Sequence, residues 1–135
     1  MIRWENVSSL RDLNAINKLE EKYSCRLPSD LKECLKQNNA GTPFPYQFDI
    51  GDRKDFVFSG LLSFNDDDVD CIYDFIDSFI ETNGKLKLFP FGLNPFGDFF
   101  CVRLQDDKIV MWEHEFESAF VIAGSFTEFL NMLHD

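Results

Sequence analysis

The chain has 135 residues, the length of one domain, and we expect residues 1–135 to form a single domain with a core rich in aromatic rings, 16 of them phenylalanine. Its 24 acidic and 13 basic side chains give a net charge of −11. That charge disfavours binding to nucleic acid or to an anionic membrane surface, and it favours a basic partner.

Two helices are predicted near the N-terminus. Apolar side chains recur at steps of three and four within residues 11–24, which is typical of an amphipathic helix. Its expected inward face consists of Leu13, Ile16, Leu19 and Tyr23. Pro28 suits the first turn of a second helix, with Asp30 near the positive helix end, and the run at 38–41 predicts its end.

The middle of the chain predicts strands and then a third helix. Residues 56–58 and 61–64 are apolar runs on either side of Gly60, which indicates two strands. Residues 68–82 follow the helical template, with one of the aspartates 66–68 as the cap and Gly84 just after the end. The apolar positions of this helix are Val69, Ile72, Tyr73, Ile76, Phe79 and Ile80.

The C-terminal half predicts a sheet and a last helix. Strands are expected at 86–91, 98–104 and 108–113, with a shorter one at 120–122. Ser125 and Glu128 form a capping box that begins the final helix. The predicted fold class is therefore α+β, a mostly antiparallel sheet with two N-terminal helices, one middle helix and one C-terminal helix.

No catalytic or metal-binding template fits the sequence. It has no phosphate-binding glycine loop and no nucleophile elbow. His114 lies between two glutamates, which is compatible with a metal ligand or with a base for a cysteine nucleophile. We favour a structural histidine hydrogen-bonded at the end of a strand. The prediction is a protein that is not an enzyme and that holds no metal and no cofactor.

The four cysteines of the chain are interpreted as packing residues, and so are the phenylalanines of residues 89–100. No apolar signal segment and no membrane span is predicted, so we expect a cytoplasmic protein with free thiols. The thiols are those of Cys25, Cys34, Cys71 and Cys101. Residues 89–100 could line a ligand pocket, but rings at strand spacing favour core. The sequence leaves the oligomeric state open.

An acidic stripe is the sharpest feature outside the predicted core. Seven acids and no base occur between Phe64 and Lys85: Asp66, Asp67, Asp68, Asp70, Asp74, Asp77 and Glu81. On the third helix the last four would fall within roughly a 60° arc, where like charges destabilise a helix. Two interpretations stand side by side, a solvated face and a docking surface for a basic partner, and no calcium-binding loop pattern is present. A second acidic group at the end of a predicted strand is Glu113, Glu115 and Glu117.

Four segments in order resemble the SUKH superfamily. Leu-Glu at 19–20 with Leu-Pro-Ser-Asp-Leu at 27–31 is similar to the family's opening, and residues 89–92 with Gly-Asp-Phe at 97–99 are similar to its "ipFG…GD-f" segment. Residues 110–115, Val-Met-Trp-Glu-His-Glu, resemble its "V-x-w-x-H-e" strand. Residues 125–130, Ser-Phe-Thr-Glu-Phe-Leu, resemble its closing helix. Asn39-Ala40-Gly41 departs from the family's Asn-Gly-Gly, and this difference affects the expected geometry of the local turn, not the fold.

The resemblance implies a non-catalytic, protein-binding role. The superfamily includes bacterial immunity proteins that neutralise toxins, many of them nucleases or deaminases, and fungal regulators of cell-wall assembly. It implies an immunity protein that neutralises a cognate polymorphic toxin, and the acidic surface of this chain suits a basic, nucleic-acid-modifying one. The alternatives are a regulatory module of a larger assembly and, less favoured, a small-ligand-binding domain.

Overall fold

The computed structural model describes residues 1–135, and its centre is a five-stranded antiparallel sheet. The strands lie in the order β5 (Gly60–Leu61), β6 (Leu88–Leu93), β7 (Phe99–Arg103), β8 (Lys108–Glu113) and β9 (Ser118–Ala123). Short turns join the last four strands, so neighbours in sequence are neighbours in the sheet. This sheet and the helices described next confirm the α+β class.

Three α-helices and two small two-stranded sheets complete the fold. The helices are α1 (Ala15–Lys22), α2 (Ser29–Asn38) and α3 (Phe126–Asn131). The small sheets pair β1 (Arg3–Glu5) with β2 (Thr42–Phe44), and β3 (Gln47–Ile50) with β4 (Arg53–Val57). Ser125 caps α3 as predicted, since its Oγ accepts the Glu128 backbone N–H at 3.0 Å. Leu13 precedes α1 and its side chain is 80% exposed, so its predicted place on the inward face of the first helix is wrong.

Phenylalanine rings fill the space between the sheet and the helices. Phe129 of α3 lies within 5.4 Å, centroid to centroid, of Phe48, Phe58 and Phe100. Such ring pairs add stability beyond the area that they bury. In the segment 89–100, Phe89, Phe91 and Phe100 are fully buried in this core. The interpretation of these three rings as core is therefore confirmed.

Gly92 of β6 allows the closest approach in this core. A Cβ atom at this position would overlap the ring of Phe58 and would lie 2.9 Å from the backbone oxygen of Gly60. Any larger residue would push β6 away from β5 and from Phe58. The glycine thereby fixes the edge of the sheet on which β5 lies.

The predicted helix over 68–82 is wrong. The segment instead forms two 3-10 turns, Ile72–Asp74 and Ile76–Phe79, after a left-handed Asp70 with φ of 55°. Ile72 N–H donates to the Ser63 oxygen (2.8 Å) and Ser63 N–H donates to the Asp70 oxygen (3.1 Å), so the start of the segment is held as a bridge to Ser63. Tertiary pairing and packing on the sheet thus override the helical period.

The altered backbone changes which side chains are buried. Ile72 and Ile76 face the core as predicted, with 0% and 1% exposure. Val69 is 88% exposed, and Tyr73 and Ile80 are also exposed, contrary to the predicted inward face. The acids Asp70, Asp74, Asp77 and Glu81 consequently do not share one helix face, because there is no α-helix to align them.

Candidate functional site

Glu20, in the opening family-like segment, forms its contacts with other residues of the fold. Glu20 Oε2 accepts the Leu27 backbone N–H at 2.7 Å, and Lys32 Nζ lies 3.3 Å from the same oxygen. Glu20 therefore fixes the loop between α1 and α2 through a charge-assisted hydrogen bond. This use of Glu20 leaves it unavailable to a partner.

Asp30 joins the opening segment to the closing helix. Its Oδ2 accepts the backbone N–H of Thr127 at 2.9 Å and the hydroxyl of Thr127 at 2.8 Å. The carboxylate thus binds a free N–H of the first turn of α3, where a negative charge is favoured. The sequence placed Asp30 only at the start of its own helix and missed this contact, for which no local pattern gives a signal.

Asp98 and His114 join the two central family-like segments. The Asp98 carboxylate accepts hydrogen bonds from the His114 backbone N–H (3.1 Å), from Asn94 Nδ2 (3.0 Å) and, through His114 Nδ1, from the imidazole (2.7 Å). Burial acts to raise the pKa of Asp98, but the hydrogen bonds from Asn94 and His114 outweigh it and lower that pKa. His114 is thus a hydrogen-bonded histidine directly after β8, as expected from the sequence.

Two of the ten predicted docking acids are also used internally. Arg11 forms ion pairs with Asp67 and Asp68. Asp68 Oδ2 further accepts the Ser63 hydroxyl at 2.7 Å and Asn65 Nδ2 at 3.1 Å. Hydrogen bonds from Ser63 first, and then from Ser8, Asn65 and Arg11, lower the pKa of Asp68. Asp68 is therefore part of the fold rather than an open anion.

A buried asparagine anchors the same network. Asn39 is fully buried, and its Nδ2 donates to the Ser8 oxygen (2.8 Å) and to Ser63 Oγ (3.1 Å). Its Oδ1 accepts the Phe64 backbone N–H at 2.8 Å. These bonds satisfy the buried Asn39 amide and its partners, and they tie the N-terminal segment to the loop that carries Asp68.

The remaining eight predicted acids have no basic partner within ion-pair distance. They are Asp66, Asp70, Asp74, Asp77, Glu81, Glu113, Glu115 and Glu117. Asp77 accepts the Tyr23 hydroxyl at 2.5 Å, and burial together with this carboxylate raises the pKa of Tyr23 to about 12. These acids come from two parts of the chain, the acidic segment (residues 66–81) and the strand end at 113–117.

Four half-buried rings connect those two parts, and we name them the aromatic cluster. Phe75 and Phe79 of the acidic segment contact Phe99 of β7, at centroid distances of 5.1 and 5.3 Å. Phe79 also lies 5.5 Å from Trp112, the residue before Glu113. The rings therefore bring the acidic segment against the end of β8 on one half-buried apolar patch. The exposed Asp74 directly precedes Phe75 in the chain, and the exposed Glu115 lies in the turn after β8. The structure brings together what the sequence treated as separate surfaces.

Two exposed phenylalanines lie at the same end of the sheet as Phe99 and Trp112. The interpretation of residues 89–100 as core is wrong for the first of them, and sequence reasoning assigned no role to the second. Phe96 lies in the turn before β7 and is 76% exposed, while Phe116 lies in the β8–β9 turn (residues 114–117) and is 69% exposed. The contact between Asp98 and His114 holds the two turns beside each other. The available signal was local: Phe96 lies between proline and glycine and Phe116 between glutamates, contexts that do not suit a core strand.

The cysteines lie in protected surroundings. All four are unpaired, with Cys71 and Cys101 buried. Burial raises the pKa of Cys25 and of Cys34 to about 11, and it raises that of Cys101 well above its usual value. Thiols in this state carry little thiolate, which a nucleophilic cysteine requires. No group of three or more potential metal-ligating side chains is clustered in the structure.

A family model for the SMI1 / KNR4 family (SUKH-1) matches residues 12–132. The chain belongs to this family. The match includes all four segments that carry the resemblance, and in the structure their polar side chains bind mainly one another. Among curated proteins and solved structures, none matches the chain. No helix of the structure is both long and apolar enough to cross a bilayer.

Proposed function

We propose that this SUKH-1 protein is an immunity protein that binds and neutralises a cognate toxin. The observation that supports the proposal is the docking surface, which we define as the aromatic cluster, the exposed Phe96 and Phe116, and the unpaired acids around them. Aromatic anchors surrounded by charged groups are typical of protein interfaces. In this family, which includes toxin-immunity proteins, a toxin is the partner that such a surface suits best.

The charge of the docking surface points to a basic toxin. The net charge of −11 and the unpaired acids would speed the encounter with a basic protein. Toxins that cut or modify nucleic acid carry basic grooves that bind phosphate, and an acidic surface can occupy such a groove. A nuclease or a related toxin acting in the cytoplasm is therefore the proposed target. Residues 1–135 would act as one non-catalytic domain without metal or cofactor.

The direct test mixes the purified chain with the product of the adjacent toxin gene. We expect a stable complex by calorimetry and loss of the toxin's activity at equimolar concentration. Binding should weaken as salt is added, because the docking surface is charged. A toxin that stays free and fully active in the presence of excess protein would contradict the proposal.

A pair of serine substitutions tests the role of the docking surface. Phe116→Ser removes an exposed ring from it, and Leu13→Ser removes an apolar side chain of similarly high exposure just before α1. We expect Phe116→Ser to weaken toxin binding by roughly tenfold or more, as for an aromatic hot spot, and Leu13→Ser to leave it unchanged. Equal affinities for the two variants would place the interface elsewhere.

A further inference from the structure

The outer edge of β9 has no hydrogen-bond partner. β9 is the last strand of the sheet order and pairs only with β8. Apart from that pairing, no backbone or side-chain hydrogen bond involves Ser118–Ala123. The opposite edge differs, because β5 has only two residues and Leu61 N–H donates to the Gly41 oxygen at 2.9 Å. One edge of the sheet is closed within the fold, and the other is open.

The hydrogen-bond alternation identifies the open groups. Leu104 N–H, directly after β7, donates to the Lys87 oxygen on the β6 side. Alternate residues of an antiparallel strand point to opposite neighbours, so Cys101 of β7 points to β8, where it faces Val110. Met111 then points to Phe120 of β9. Ala119 and Val121 therefore present their N–H and C=O groups outward.

The edge has few of the devices that block strand addition. Ser118–Ala123, Ser-Ala-Phe-Val-Ile-Ala, contains no charge and no proline. A register shift opposite Ile109 and Val110 makes Ile122 a bulge, which leaves Ser118–Val121 as the regular part. The side chains of Ala119 and Val121 are exposed on the same sheet face as Trp112 of the aromatic cluster. The edge is thus continuous with the docking surface.

The charge around the edge selects the chemistry of its occupant. Lys108 is the last Lys or Arg in the chain, whereas five acids follow it, including the three at the end of β8 and in the β8–β9 turn. A second copy of this chain would also carry a net charge of −11, which opposes self-association at this edge. An extended segment rich in Lys or Arg is complementary to it.

From these observations we infer that a basic strand of the toxin adds to the sheet along β9, next to Ala119 and Val121. This inference rests on the proposed function and specifies how its partner binds. The main-chain hydrogen bonds would supply affinity, and Glu113, Glu115 and Glu117 would select basic side chains. Phe116, in the turn that leads into β9, would cover one end of the added strand.

Proline at position 121 tests the inference. Val121→Pro removes an outward N–H and blocks pairing on that side, a placement that an edge strand tolerates. Val121→Ala is the matched control, since it shortens the side chain but keeps the N–H. We expect Val121→Pro to weaken binding to the adjacent-gene toxin by roughly tenfold or more, and Val121→Ala by much less.

Hydrogen exchange on the wild-type protein gives a second measurement that does not depend on a variant folding. The Ala119 and Val121 amides should exchange quickly in the free protein and at least roughly tenfold more slowly in the toxin complex. A wild-type protein that binds toxin while Val121→Pro binds equally well and these amides stay unprotected would overturn strand addition but leave the proposed function standing. If the wild-type protein does not bind the toxin, both fail. If the protein forms a dimer without toxin, and Val121→Pro dissociates that dimer, the edge binds a second copy of the chain and the inference is also overturned.

Discussion

Two regions of the molecule use the same acidic residue types in opposite ways. In the internal network, Asp68, Asp98 and Asp30 each accept two or more hydrogen bonds from other residues of the fold. On the docking surface, acids such as Asp74 and Glu115 have no basic partner, and they are exposed beside Phe75 and Phe116 in the chain. A carboxylate with internal partners stabilises the fold, whereas one without them is left for solvent or a partner protein. Internal partners, rather than residue type, separate the two groups, and Asp77 stands between them because it accepts the Tyr23 hydroxyl.

The largest expected effect comes from placing a charge beneath the docking surface. Ile76 is 1% exposed, so Ile76→Asp would bury an unpaired carboxylate and cost about 3 kcal/mol or more of the free energy of unfolding. Asp74→Asn, at an exposed position two residues away, should change it by less than about 0.5 kcal/mol. Urea denaturation of both variants measures the difference. An Ile76→Asp protein as stable as the wild type would show that this segment does not pack as described.

A smaller loss is expected from the internal network. Asn39→Ala would leave the partly buried Ser8 oxygen and the buried Phe64 N–H without their side-chain partner, at about 1–3 kcal/mol in total. Asn38→Ala is the control, because the Asn38 side chain has only a weak contact with the Cys34 sulfur. Thermal melting of the two variants checks the prediction. Equal melting temperatures would mean that Asn39 contributes little to the fold.

The pH dependence of stability should reveal the engaged carboxylates. The pKa of Asp98 is lowered in the folded chain, so its ionised form stabilises the fold above the unfolded pKa of about 3.9. That contribution disappears as the pH falls through the folded value. Between about pH 6 and pH 3 we therefore expect the wild type to lose more stability than Asp98→Asn, as measured by urea denaturation.

The control for this comparison is Asp107→Asn, because the exposed Asp107 side chain accepts no hydrogen bond. It should follow the wild-type profile. If Asp98→Asn also follows that profile, the bonds from Asn94 and His114 do not favour the charged form of Asp98. Asp98 would then not belong to the carboxylates that stabilise the fold.

The sequence correctly predicted the elements that are determined by their own local residue pattern. The strand at 108–113 has the predicted bounds, and the Ser125 cap begins α3 where expected. The helix over 68–82 failed because packing on the sheet and the bridge to Ser63 depend on residues outside the segment. The partners of the acids could not be predicted from the sequence either, because Arg11 and Asp67 are 56 residues apart and Asp30 and Thr127 are 97 residues apart. The sequence could place the acids, but only the fold could separate the engaged ones from the open ones.

The account's central claim is that the unpaired acids near the β8–β9 turn, rather than net charge, bind the toxin. Two triple variants with the same net charge of −8, three units above the wild type's −11, test it. The first variant carries E113Q, E115Q and E117Q. The second carries E5Q, D12N and E33Q, at acids that already form exposed ion pairs with Arg3, Lys18 and Lys36.

The measurement is toxin affinity for both triple variants as a function of salt concentration. Our account predicts that the first variant binds at least roughly tenfold more weakly and with a shallower salt dependence, while the second stays near the wild type. Both variants should keep the wild-type melting temperature within a few degrees, since exposed charges contribute little to stability. Equal affinities for the two variants, whether both reduced or both unchanged, would contradict the claim.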